Sequence, residues 1–98
     1  MKKYIIERDI PGVGGMTASD LGNAAKTSNA ALAKLNGIQW QNSYVTADKT
    51  FCVYLAESED AIYEHARLSG FPANKVTHVQ MIIDPTTERQ CDLARTAA

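Results

Sequence analysis

The chain has 98 residues, of which 45% are hydrophobic and 21% are charged, and its formal net charge at neutral pH is −1. This length fits one domain with a hydrophobic core of its own. The near-neutral charge argues against nucleic acid and anionic membranes as partners, because both select a basic protein face. No stretch approaches the run of about 20 apolar residues that crosses a bilayer.

The cysteines and the first residues indicate a reducing environment. Cys52 and Cys91 are too few and too scattered to predict a disulfide framework. Lys2 and Lys3 stand near the start, but charged residues follow before an apolar signal-peptide core can form. We therefore expect a cytoplasmic protein in which Cys52 is a small buried hydrophobe and Cys91 is exposed.

A strand, a loop and a helix are predicted in the first part of the chain. Residues 3–9 form a short strand, because their apolar centre carries charges only at its edges. Residues 11–15 are rich in glycine and lack the pattern of a phosphate-binding loop, so we expect a flexible connector. Thr17, with Asp20 three residues later, begins a helix through an acidic capping box, and Asn36-Gly37 ends it.

A hairpin, a second helix and a last strand follow. Residues 38–46 and 50–56 are rich in β-branched and aromatic side chains and form the hairpin. Ser58 begins the second helix, Gly70 ends it in a left-handed conformation, and residues 77–83 form the last strand.

This order predicts an α+β fold, the ferredoxin-like β-α-β-β-α-β sandwich. A four-stranded antiparallel sheet carries both helices on one face, because each helix has one apolar stripe to bury. We assign the domain to residues 1–85 and expect residues 86–98 to be a mobile tail.

The alternation of side chains along each strand predicts what the opposite, open face of the sheet carries. We expect Phe51, Val53 and Leu55 to meet the helices. The second strand is ambiguous, because a three-residue hairpin loop puts Trp40 and Tyr44 on the open face and a two-residue loop puts them in the core. With the longer loop, the open face is expected to hold Ile5, Glu7, Trp40, Tyr44, Cys52, Tyr54, His78, Gln80 and Ile82.

Such a face is too aromatic for contact with water, so we expect a homodimer that covers it. A ligand cavity at the same face is the alternative use of these side chains. Its candidate ligand-binding residues are Trp40, Tyr44, Tyr54 and Gln80.

The two histidines are the candidate metal ligands. His78 is expected beside Glu7 on the adjacent first strand, and a Glu–His pair suits a divalent transition metal, though it equally suits a polar contact at an interface. His65 lies in the apolar stripe of the second helix, where a partly buried histidine bonded to a neighbour is the ordinary interpretation. We expect the two histidines on opposite sides of the sheet, with His65 as the alternative ligand.

Several segments together resemble a known family. They are the start Tyr4-Ile5-Ile6-Glu7-Arg8-Asp9-Ile10-Pro11-Gly12, the stretches from Trp40 to Tyr44 and from Asp48 to Tyr54, residues 61–67, and Gly70-Phe71-Pro72-Ala73. The chain resembles, over about residues 3 to 85, a family of small bacterial proteins classed as a domain of unknown function, some of whose members are described as nickel-responsive or nickel-binding. The resemblance implies a dimeric ferredoxin-like protein, and it carries no ligand pattern over to this chain.

Three functions remain open from the sequence. The first is a small dimeric binding protein that holds a transition metal such as nickel, or a small ligand, at the open face or dimer interface. The second is an enzyme like the cofactor-free monooxygenases that share this dimeric architecture, which is an analogy of fold alone. The third is an assembly module without a small-molecule site. We favour binding over catalysis, because the sequence lacks a diagnostic catalytic motif.

Overall fold

The computed structural model describes residues 1–89 of the chain. Its strands are β1 (Lys2–Asp9), β2 (Ile38–Val45), β3 (Lys49–Ala56) and β4 (Lys75–His78). Its helices are α1 (Ala18–Leu32) and α2 (Glu59–Ser69). Of the tail predicted at 86–98, residues 90–98 lie outside the described residues, and Cys91 is among them.

The sheet has four antiparallel strands in the order β2-β3-β1-β4. Both helices cover one face of this sheet, where buried side chains of β1 and β3 pack against Ile62 of α2. The arrangement confirms the predicted ferredoxin-like α+β sandwich. Within the described residues, neither helix is long and apolar enough to cross a membrane.

Two of the predicted helix caps form as expected, whereas Ser58 precedes α2 without a side-chain cap hydrogen bond. The Thr17 side chain accepts a hydrogen bond from the Asp20 backbone N–H, and the Asp20 carboxylate accepts one from the Thr17 N–H, which completes the capping box. Gly70 ends α2 with φ of 79°, in the left-handed region that a Cβ disfavours. Helix α1 ends at Leu32, before the predicted stop, and Gly37 instead takes its φ of 74° in the loop that leads into β2.

The glycine-rich loop is not the free connector expected from the sequence. Its backbone is tied to the β2–β3 hairpin by three hydrogen bonds: Ile10 N to Asp48 O at 3.0 Å, Gly14 N to Ala47 O at 2.9 Å, and Gly12 N to the Asp48 side chain at 2.9 Å. Val13 is buried at its centre. The loop therefore forms a fixed wall beside the sheet.

Strand β3 has the opposite phase to the one predicted. Thr50, Cys52, Tyr54 and Ala56 are its buried side chains, and they lie on the helix side. Phe51, Val53 and Leu55, which we expected to meet the helices, point to the open face. Both sets are apolar, so alternation alone does not distinguish the two faces of this strand.

A bulge in β2 separates two aromatic residues that were expected on one face. Trp40 pairs with Tyr54 and Tyr44 pairs with Phe51, and the register shifts between Trp40 and Asn42. One extra residue at Gln41 reverses the alternation. Trp40 therefore shares a face with Cys52 and Tyr54 as predicted, but that face meets the helices, while Tyr44 remains on the open face.

The last strand is shorter than predicted, and its phase is also reversed. β4 ends at His78, whose partner in β1 is Tyr4, and Val76 pairs with buried Ile6. His78 therefore lies on the helix side rather than on the open face. Beyond it, residues 79–83 continue without regular structure and end in three strongly exposed side chains, Met81, Ile82 and Ile83.

Candidate functional site

A cavity of about 340 Å³ lies between the first half of α1 and the helix-facing side of the sheet. Strands β1, β2 and β3 form its floor, α1 its roof, and the glycine-rich loop one wall. Its size is at the lower end of the range for small-molecule sites. The lining residues are Arg8, Ile10, Val13, Met16, Leu21, Ala24, Ala25, Ser28, Trp40, Ser43, Val45, Thr50, Cys52, Tyr54 and Phe71.

Arg8 is the charged residue in this lining, and it is only 2% exposed. Its Nη1 donates a hydrogen bond to the Pro72 carbonyl oxygen at 2.8 Å. Its Nη2 is buried and has no hydrogen-bond partner among residues 1–89. The guanidinium carbon lies 6.0 Å from the ring centre of Tyr54 and 5.9 Å from that of Phe71, so aromatic faces surround the charge.

A buried polar cluster extends from Arg8 beneath the helices. Ser28 Oγ of α1 lies 3.1 Å from Nε2 of His65 of α2, and the Tyr54 and His65 rings are 5.3 Å apart. Burial lowers the pKa of His65, and the nearby Arg8 charge lowers it further. Burial raises the pKa of Tyr54, against the opposing effects of Ser28 and Arg8. At neutral pH the cluster therefore contains one cation and neutral hydrogen-bonding groups.

The cavity brings together two of the four predicted ligand-binding residues. Trp40 and Tyr54 line it, and Trp40 Nε1 donates a hydrogen bond to Ser43 Oγ at 2.9 Å across the bulge. Tyr44 is 61% exposed on the open face, and Gln80 lies beyond the end of β4. These four side chains therefore do not form one site within a single chain.

The structure does not place Glu7 beside His78. Glu7 pairs with Lys75, while His78 pairs with Tyr4, three positions away and on the opposite face of the sheet. This offset corresponds to about 10 Å along the strand. The Glu7 carboxylate instead lies 3.8 Å from Lys49 Nζ and 3.9 Å from Lys75 Nζ.

The two histidines lie on the same side of the sheet, contrary to the sequence-based expectation, but their surroundings differ. The His78 side chain is exposed, its ring centre is 5.3 Å from that of Tyr4, and its Nδ1 is 3.1 Å from Gln80 Nε2. His65 is fully buried, and its Nδ1 has no partner among the described residues. Across residues 1–89, no group of three or more His, Cys, Asp or Glu side chains is arranged to hold a metal ion.

Sequence reasoning did not identify Arg8 as a site residue, although the signal was present. We expected Ile5 and Glu7 on the open face, which turns Ile6 inward, and Arg8 lies two residues after Ile6 on the same strand. A period of two therefore places this arginine inside the fold. An inward-facing arginine is uncommon and needs either a partner or a function.

Fold and site together define a small ferredoxin-like protein with a half-open, mainly apolar cavity and one exposed histidine at the edge of its sheet. A family model described as "Nickel responsive protein SCO4226-like" matches residues 4–79, and the chain belongs to this family. No curated protein matches the chain.

The chain is also similar to a solved structure described as the crystal structure of SCO4226 from Streptomyces coelicolor A3(2). The two chains share 13% sequence identity with a TM-score of 0.71, and the match covers 83% of this chain and 99% of the other. At this level of identity the likeness shows a shared fold.

Proposed function

We propose that this chain is a small homodimeric binding protein of a metal response, with a divalent metal site, such as a nickel site, built on His78. The family description carries the metal part of the proposal. His78 supports it because its imidazole is exposed at the edge of the sheet, and imidazole is a good ligand for nickel, copper and zinc.

The open face of the sheet supports the homodimer. Its centre is apolar, with Ile5 of β1 opposite Val53 of β3, and with Phe51 opposite Tyr44. A strand that is apolar on both faces is typical of a sheet buried on both faces. A second copy of the chain, placed against this face, covers these side chains in the proposed assembly.

The segment that follows β4 also supports a partner close to His78. Met81 is 83% exposed, and Ile82 and Ile83 are nearly as accessible. Exposure of three consecutive apolar side chains to water is unfavourable in free energy, and burial in an interface removes this exposure. Because β4 is an edge strand, a partner that covers the open face and also packs on this segment comes close to His78 and supplies the metal ligands that residues 1–89 of one chain do not provide.

Gln80 has a defined role in this proposal. When a histidine binds a metal through Nε2, its Nδ1 carries the proton and donates it to a neighbouring acceptor. Gln80 is within hydrogen-bond distance of His78 Nδ1, and its amide oxygen serves as that acceptor when the amide group is turned by half a rotation. His65 is unsuited as a metal ligand, because its side chain is fully buried beneath the helices.

Calorimetry with nickel at neutral pH tests the proposal. We expect the wild type to bind, His78→Ala to lose binding, and Glu7→Gln to retain it, because Glu7 lies on the other face. Affinity is expected to fall as the pH is lowered, since protons compete with the metal for the imidazole. Absence of binding in the wild type removes the metal site and leaves an assembly module.

A further inference from the structure

We propose that the cavity between α1 and the sheet binds a small apolar monocarboxylate, whose carboxylate group pairs with the buried guanidinium of Arg8. This site is separate from the proposed metal site. It is lined by residues of one chain, and it requires neither His78 nor a second subunit.

The first argument is the uncompensated charge. A buried cation is costly unless a counter-ion or a full set of hydrogen bonds accompanies it. Arg8 has one hydrogen bond, to Pro72 O, and it forms no ion pair with an acidic side chain among residues 1–89. Its free Nη2 donor and its positive charge are the two features that a carboxylate satisfies together.

The second argument is the chemistry of the remaining lining. Apart from Arg8, the cavity walls are aliphatic, methionine and aromatic side chains with a few hydroxyls and a thiol. Such walls suit a hydrocarbon body and provide no second cation. A phosphate dianion requires more charge and more donors than one guanidinium supplies, so a singly charged carboxylate fits better.

The third argument is the presence of neutral donors close to the guanidinium. Tyr54 and Ser28 both line the cavity, and their hydroxyl groups are near enough to each other to affect the ionisation of Tyr54. Because burial favours the protonated phenol, Tyr54 keeps its proton at neutral pH and is able to donate it to a carboxylate oxygen.

The chain contains a built-in probe for this site. Trp40 is the single tryptophan of the sequence and lines the cavity, so its fluorescence reports on occupancy. Cyclohexanecarboxylate and octanoate do not absorb where tryptophan does. We compare the affinity of each acid with that of its uncharged carboxamide by titrating each into the protein and following Trp40 fluorescence. The two ligands of a pair differ mainly in the charge at one end.

The wild type is expected to bind at least one of the two acids at least about ten-fold more tightly than its carboxamide, as expected for a charge-assisted hydrogen bond. Arg8→Met is expected to lose this preference, because it keeps the length of the side chain and removes its charge and donors. Arg67→Met is the matched control, since Arg67 is an exposed arginine on α2 that pairs with Glu64. It is expected to bind as the wild type does.

A second variant keeps the test decisive if Arg8→Met does not fold. Ala25→Leu fills the cavity from α1 and leaves Arg8 in place, so it is expected to weaken acid binding while urea denaturation still shows a folded protein. Three results would overturn the proposal: equal affinity for acid and carboxamide, displacement of the acid by inorganic phosphate, or no acid binding at about 1 mM.

Discussion

Ser28 Oγ and His65 Nε2 lie 3.1 Å apart, and this contact joins α1 to α2 where both helices are buried against the sheet. Both side chains are buried, and Ser28 also borders the cavity beneath α1. The other ring nitrogen of His65 already lacks a hydrogen bond within residues 1–89. Among residues 1–89, His65 therefore depends on Ser28 for its side-chain hydrogen bond.

Ser28→Ala is expected to lower the free energy of unfolding by about 1–3 kcal/mol, because it leaves His65 buried without any hydrogen-bond partner. Urea denaturation at neutral pH measures the change. Thr27→Ala is the control one residue earlier, where the exposed hydroxyl bonds only to the Asn23 carbonyl of its own helix. That variant is expected to stay within about 0.5 kcal/mol of the wild type. Equal losses in both variants would contradict this role for the Ser28–His65 contact.

His65 also predicts how stability depends on pH. Burial, aided by the Arg8 charge, lowers its pKa in the folded chain below the value of about 6.5 in the unfolded chain. The unfolded chain therefore takes up a proton that the folded chain does not. The contribution of His65 to stability is complete above about pH 6.5 and is lost as the pH falls from there towards the lowered pKa.

Urea denaturation between about pH 5 and pH 7.5 measures this dependence, above the range in which most carboxylates titrate. His65→Gln is expected to flatten the decrease below pH 6.5. His78→Gln, which replaces the exposed histidine, is expected to keep it. A decrease of the same slope in His65→Gln and in the wild type would show that another group is responsible.

Gly70 gives a prediction about the end of α2. Its φ of 79° disfavours any Cβ, but a Cβ placed there meets no atom within 4 Å. Gly70→Ala is therefore expected to cost about 1 kcal/mol from backbone conformation alone. Gly15→Ala is the control, because Gly15 has equally open surroundings and no positive φ. Its melting temperature is expected to be unchanged, and an equal loss in both variants would contradict the explanation.

The order of elements and the helix caps could be predicted from the sequence, because they depend on local signals. Thr17 with Asp20 and Gly70 act within one turn of their own helix, and the structure contains both caps as predicted. The strand faces could not be predicted as reliably. β3 is apolar on both sides, so the packing of the whole sheet decides its phase.

The residues of the candidate site were also hard to predict, because their faces depend on strand register. One bulged residue, Gln41, separates Trp40 from Tyr44, and a bulge has no clear signal in this sequence. The register of β4 places His78 opposite Tyr4, on the helix side, and Lys75 rather than His78 opposite Glu7. Arg8 was not identified as a site residue either, although its spacing of two from Ile6 indicates that it faces inward.

The open face of the sheet predicts the effect of a charge at its centre. Val53 lies on this face opposite Ile5 of β1 and Asn42 of β2. In the proposed homodimer, Val53→Glu buries an unpaired carboxylate between two sheets, and such a charge costs several kcal/mol. Tyr63→Glu is the matched control, because Tyr63 is half exposed on α2, on the other side of the molecule.

Light scattering at micromolar concentration is expected to give about twice the chain mass of 10.7 kDa for the wild type and Tyr63→Glu. Val53→Glu is expected to give the mass of one chain with its circular dichroism spectrum retained. A monomeric wild type would refute the homodimer, and a dimeric Val53→Glu would place the interface elsewhere, with the segment after β4 as the next surface to test.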